Sequence, residues 1–91
     1  MTVTLVGFIT APADRLADIR AALPDHIRLT RAETGCLRFD VSESSDVPGR
    51  FDVSEEFTDA AAFAAHQTRV AASDWGQISA GLPRDYKITG L

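Results

Sequence analysis

The apolar periodicity of this chain switches between strand-like and helical spacing four times within 91 residues, and that order limits the fold more than any other feature. Residues 3–10 are apolar or Thr almost throughout, with β-branched Val3, Thr4, Val6, Ile9 and Thr10, as suits a strand buried on both faces. Pro12 then stands where a helix can begin, and Leu16, Ile19, Leu23 and Ile27 recur at intervals of three and four, which predicts a helix over about 12–32. Pro24 lies inside that stripe. Its missing amide predicts a kink or break near Ala22–Asp25. From Cys36 to Ser42 the period is two, with Leu37, Phe39 and Val41 on one face. A turn-rich stretch, Ser44 to Gly49, leads into a second alternating run, Phe51, Val53, Glu55 and Phe57, so a hairpin joins two strands here. Thr58 or Asp59 can cap a second helix from Ala60 to Ala72, with a break at Ser73–Asp74 and helical spacing resumed by Trp75, Ile78 and Leu82. Pro83 closes it, and Tyr86–Thr89 reads as a last short strand.

The resulting order, βαββαβ, is the ferredoxin-like α+β arrangement: a four-stranded antiparallel sheet with both helices on one face. A strand one that is apolar on both sides leaves the far face of that sheet in need of cover. A second copy packed sheet to sheet is the simplest cover, so a homodimer is expected. The length fits one domain spanning 1–91.

Nine Lys and Arg against thirteen Asp and Glu give a net charge of −4 with no basic block, which argues against nucleic acid as a partner. The first residues lack a basic n-region and a long apolar run, so neither a signal peptide nor a membrane span is expected and the protein reads as cytoplasmic. Cys36 is the only cysteine, and no HExxH, Cys/His cluster or Gly-rich phosphate loop occurs. Neither a metal nor a cofactor is therefore expected.

Three segments carry a resemblance. Glu33-Thr34-Gly35-Cys36-Leu37-Arg38-Phe39, Arg50-Phe51-Asp52-Val53-Ser54-Glu55 and Ala62-Phe63-Ala64-Ala65-His66 resemble the antibiotic biosynthesis monooxygenase family, with its Glu-x-Gly-Cys-x-x-Tyr/Phe, Phe-x-x-x-Glu and Ala-x-x-x-His motifs. The run from Leu37 to Val41 is also similar to a branch containing an isomerase of a phosphorylated sugar. The resemblance implies a dimeric α/β barrel with one small-molecule cavity per subunit, between helices and sheet. It does not imply one reaction, because fold and chemistry are loosely coupled. The chain contains no asparagine, whereas the haem-degrading members of the family use one, which disfavours that activity.

Within this frame His66, on the inner stripe of the second helix, is the candidate general base. Glu55, a carboxylate in an apolar register, is its candidate partner, expected to be ionised beside His66 and to raise the imidazole's pKa. Trp75, Phe39, Phe51 and Phe63 are candidates to line an aromatic-binding cavity, the alternative being plain core. Arg84 and Tyr86 flank the last strand and could hold a substrate oxygen, or a surface contact. Three functions remain open: a cofactor-independent oxygenase of a small hydroxylated, quinol-like aromatic, an isomerase of a small sugar-like metabolite, and a non-enzymatic dimeric binding module.

Overall fold

A computed structural model describes residues Met1–Leu91. Its elements follow the expected order: β1 (Val3–Thr10), α1 (Leu16–Arg31), β2 (Cys36–Glu43), β3 (Arg50–Phe57), α2 (Ala60–Ala71), α3 (Asp74–Ile78) and β4 (Arg84–Thr89). The strands form one antiparallel sheet in the order β2-β3-β1-β4. This is the ferredoxin-like topology, and it sets β1 and β3, each with a buried apolar face, side by side at the centre.

One face of the sheet carries Val3, Leu5 and Ile9 of β1 with Phe51, Val53, Glu55 and Phe57 of β3, all buried beneath the helices. Burial of this kind, at roughly 25 cal/mol per Å² of apolar surface removed from water, is what holds a chain of this size together. The other face lies open in the single chain, as expected, but is more polar than expected. Strand β1 is covered on one side only, with Val6 47% exposed. The large side chains of β3, and Phe39 and Val41 of β2, point to the helices. The far face is instead laid with ion pairs, Arg50–Asp52 at 2.8 Å and Arg38–Glu56 at 3.9 Å, and Arg50 lies 4.0 Å over the ring of Phe8.

Three further expectations need correction. The break expected at Pro24 does not occur, and α1 is one helix from Leu16 to Arg31, although the proline does remove one backbone hydrogen bond as expected. Arg20, one turn before Pro24, is exposed, so the carbonyl that loses its intrahelical donor sits on the solvent side of the helix, where water can serve it. Packing of Ile19, His26 and Thr30 holds the inner side. The helix also begins later than Pro12, after a turn in which the Arg15 amide donates to the Pro12 carbonyl. Finally, Leu37 does not share a face with Phe39. The β2–β3 register shifts between Cys36 and Arg38, which leaves Leu37 54% exposed and Phe39 2%. A bulge adds one residue and reverses the alternation on one side of it.

Asp59 caps α2 by accepting from the Ala62 amide at 2.8 Å. The α2–α3 joint is tighter. The hydroxyl of Ser73 donates to the Val70 carbonyl (2.7 Å) and accepts from the Gly76 amide (3.2 Å). A Cβ at Gly76 would run into the Val70 carbonyl oxygen, so only glycine lets α3 fold back so closely. Gly76→Ala should destabilise the protein by about 1–3 kcal/mol, the usual cost of overpacking. Calorimetry would then show a melting temperature lower by roughly 4–8 °C for each kcal/mol. Unchanged melting would mean the joint is loose.

Candidate functional site

A cavity of about 390 Å³ lies between the sheet and the helices. Its walls combine apolar residues of the sheet and the helices with a small set of polar groups: His26 from α1, Glu55 from β3, His66 and Gln67 from α2, Ser79, and Arg84 and Tyr86 from β4. Concave, mostly apolar space with a few converging polar groups is the ordinary form of a small-molecule site.

His66 is 3% exposed. The tilted ring of Phe57 lies at 4.8 Å and that of Phe39 at 5.9 Å. Its Nδ1 lies 3.0 and 3.1 Å from the two carboxylate oxygens of Glu33. A carboxylate only accepts, so Nδ1 carries the proton and donates it, and Nε2 keeps its lone pair. Glu33 is held in turn by Arg69, whose Nε donates at 2.6 Å while its terminal nitrogen donates to Thr30 at 2.9 Å. The orienting partner of His66 is thus Glu33 and not Glu55, which corrects the expected pairing. The imidazole pKa is also lowered rather than raised. Burial is the main cause, and the hydrogen bond and charge of Glu33 oppose it only in part.

Glu55 stands on the other side of the same ring. Its Oε1 is 3.9 Å from Nε2 of His66, too far for a hydrogen bond, and has no other partner although it is sealed from solvent. Burial pushes the Glu55 carboxyl up to about 7, with the charge of Glu33 adding to the effect. A lone-pair nitrogen and a carboxyl that titrates near neutrality therefore face each other across 3.9 Å, beyond direct hydrogen-bond contact. Strand geometry brings them together, because Glu55 lies in the same inward register as Val53 and Phe57.

Of the other expected residues, Phe39 and Trp75 line the cavity, as do Arg84 and Tyr86. Phe51 and Phe63 are packed in the core away from its wall. Arg84 donates to the Leu82 carbonyl (3.0 Å) and to the carbonyl and hydroxyl of Ser79 (3.2 and 3.0 Å). Burial pushes the Tyr86 phenol up to about 12, so it keeps its proton and can donate. No group of three or more His, Cys, Asp or Glu side chains is placed to hold a metal ion.

Sequence reasoning passed over three residues. Glu33 and Arg69 orient His66, and Glu33 stands in the Glu-x-Gly motif that carried the family resemblance. His26 is 6% exposed, stacks on Trp75 with ring centroids 4.6 Å apart and planes 4° apart, and meets Phe39 edge-on at 5.2 Å. Its position three residues after Leu23 and seven after Ile19 places it on the inner stripe, next to the Ile27 that the periodicity singled out instead.

The profile of the family described as "Antibiotic biosynthesis monooxygenase" matches residues 2–77. No curated protein matches the chain. Among solved structures, a candidate antibiotic biosynthesis monooxygenase from Nitrosomonas europaea superposes with a TM-score of 0.84 at 24% identity, over 99% of this chain and 89% of the other. PA3566 from Pseudomonas aeruginosa gives 0.74 at 28% identity, over 99% and 91%. Rv0793 from Mycobacterium tuberculosis gives 0.77 at 23% identity, over 100% and 95%. With the profile spanning most of the sequence and the ferredoxin-like fold shared, the chain belongs to the antibiotic biosynthesis monooxygenase family.

Proposed function

We propose that this protein is a cofactor-independent oxygenase of a small hydroxylated, quinol-like aromatic, built as one domain, acting as a homodimer and located in the cytoplasm. The observation that carries the reading is the facing pair of His66 Nε2 and Glu55 in a desolvated, largely apolar cavity. Removing a proton from a substrate hydroxyl there yields an electron-rich anion that can give an electron to dioxygen. One oxygen atom then bonds to substrate carbon, and the other leaves as water with the two hydrogens the substrate loses. His66 takes the hydroxyl proton on Nε2, and the nearby charge of Glu55, when ionised, stabilises the imidazolium that forms. Tyr86, whose phenol keeps its proton, lies on the cavity wall where a substrate oxygen can be met, and Arg84 beside it is held by Ser79 and Leu82.

A phosphorylated sugar fits less well. Arg84 is the one Lys or Arg on the wall, and its guanidinium is already engaged by Ser79 and Leu82. The test is aerobic turnover of naphthohydroquinone beyond its spontaneous oxidation, read as protein-dependent oxygen uptake with an oxygenated product. Uptake equal to the buffer blank across a set of such quinols would remove the oxygenase reading.

The titration of Glu55 gives two linked pH effects. If ionised Glu55 is the active form, kcat/KM should rise as pH passes through about 7 and then level off, and Glu55→Gln should abolish that rise. Stability moves the other way. The folded pKa lies above the unfolded 4.5, so the folded state binds more protons between about 4.5 and 7 and loses stability as pH rises through that window. At pH 8 Glu55→Gln should be more stable than wild type, by about 3 kcal/mol at most, because a tenfold change in proton affinity corresponds to about 1.4 kcal/mol. A stability difference between wild type and Glu55→Gln that stays the same from pH 8 to pH 5 would show that Glu55 is not desolvated in solution, since the buried histidines contribute equally to both proteins.

A further inference from the structure

A second hollow, of about 510 Å³, opens on the helix side between α1 and α3. It shares His26 and Trp75 with the inner cavity. Their parallel rings form the partition between groove and cavity, one plate supplied by each helix. The His26 ring is also pinned by Phe39, so its plane is set by two aromatic neighbours. Yet its Nδ1, sealed from solvent, has no hydrogen-bond partner. A phenyl ring would pack in that place without leaving a buried polar atom unmatched, and unmatched buried groups are rare because each carries its full desolvation cost.

We infer that His26 is a second ligand-binding residue, whose ring nitrogen hydrogen-bonds the hydroxyl or carbonyl oxygen of a planar, uncharged aromatic lodged against the His26–Trp75 partition. The inference rests on the reading of the inner cavity as the substrate site and adds the group that grips the substrate's second polar end. Burial drives the His26 pKa down to about 3, with the nearby His66 and Arg69 adding to the fall, so the ring is neutral at physiological pH. A neutral imidazole can accept from a hydroxyl or, in its other tautomer, donate to a carbonyl, which suits both a quinol and the oxidised product. Charge on the outer side of the partition adds selectivity. Asp18, Asp25 and Asp74 line the groove, and its single cation, Arg69, is bound to Glu33 and Thr30. An anionic ligand meets repulsion there.

Trp75 is the only tryptophan, so its fluorescence reports on this partition directly, and naphthoquinone, an electron acceptor, is a suitable quenching probe. Titration of the wild type should give saturable quenching, and a sulfonated naphthoquinone should bind at least about tenfold more weakly. His26→Phe should raise the half-quenching concentration at least about tenfold, the effect of losing one hydrogen bond at a buried site, while its melting temperature stays equal or rises. His26→Gln, which restores a donor and an acceptor, should recover most of the affinity. Absence of saturable quenching in the wild type, equal affinity in His26→Phe, or affinity lost in both variants together with lowered melting would each overturn the inference. Oxygen uptake separates it from the catalytic reading: a wild type that binds naphthoquinone through His26 yet oxidises no naphthohydroquinone retains the site and loses the oxygenase.

Discussion

His66→Ala should abolish turnover, with a fall in kcat of about 10²–10⁴, the range for loss of a positioned general base. The size follows from the surroundings of the ring. Its Nδ1 proton is committed to Glu33, leaving Nε2 as the sole basic atom of the residue that can meet a substrate proton. Bulk water is a poor substitute, because His66 is 3% exposed and Glu55 6%. The binding of naphthoquinone should survive the change, so KM should move far less than kcat. Truncation also leaves the carboxylate of Glu33 short of one donor but still held by Arg69 at 2.6 Å, so the fold should persist with a modest loss of stability. A variant that turns over at the wild-type rate would strip His66 of its catalytic role and leave the Glu33–His66–Arg69 tie as a structural one.

Phe39→Asp should prevent stable folding. Phe39 is 2% exposed and lies against both His26 and His66, 5.2 Å from one ring and 5.9 Å from the other. Removing the ring alone typically costs about 3–5 kcal/mol, and an unpaired buried carboxylate adds several more. Together these match the whole stability of about 5–15 kcal/mol that small domains possess. Phe39→Leu, which keeps a large apolar side chain, should fold with a lower midpoint. A soluble Phe39→Asp protein with a cooperative thermal transition would show that this strand register is misassigned. Because Phe39 faces the helices and not the open side of the sheet, the loss should appear as unfolding and not as separation of folded subunits.

Much of this architecture was legible in the sequence because it rests on period alone. The alternation in β3 put Glu55 in the inward register among Phe51, Val53 and Phe57, and the stripe of α2 carried Phe63 and His66 inward together. Periodicity fails where one residue interrupts it. The bulge at the start of β2 turned Leu37 outward, and nothing in a single alternating run marks such an insertion. Pro24 costs one backbone hydrogen bond, as its residue type requires, but does not end the helix, since packing along the rest of α1 carries the segment through. The site was legible in part for a related reason. Sequence spacing shows which face a side chain joins but not which of two carboxylates lies nearer, and Glu33 reaches His66 from the loop after α1 while Glu55 reaches toward it from the sheet. His26 was hidden because a histidine on an apolar helix stripe reads like its neighbours until its stacking partner, 49 positions further along, is in view.

The bulge in β2 bears on how the folded chain behaves among its own kind. Strand β2 stands at the rim of the sheet, where a straight run of unsatisfied amides and carbonyls would invite another strand to add on and propagate into aggregates. The extra residue at Leu37 breaks the regular spacing of that run, and Arg38 and Asp40 put charge on the same stretch. The irregularity that defeated the simple alternation is therefore also a guard against uncontrolled strand addition, confined to the end of the strand next to Glu33 and leaving Phe39 and Val41 in register to wall the cavity.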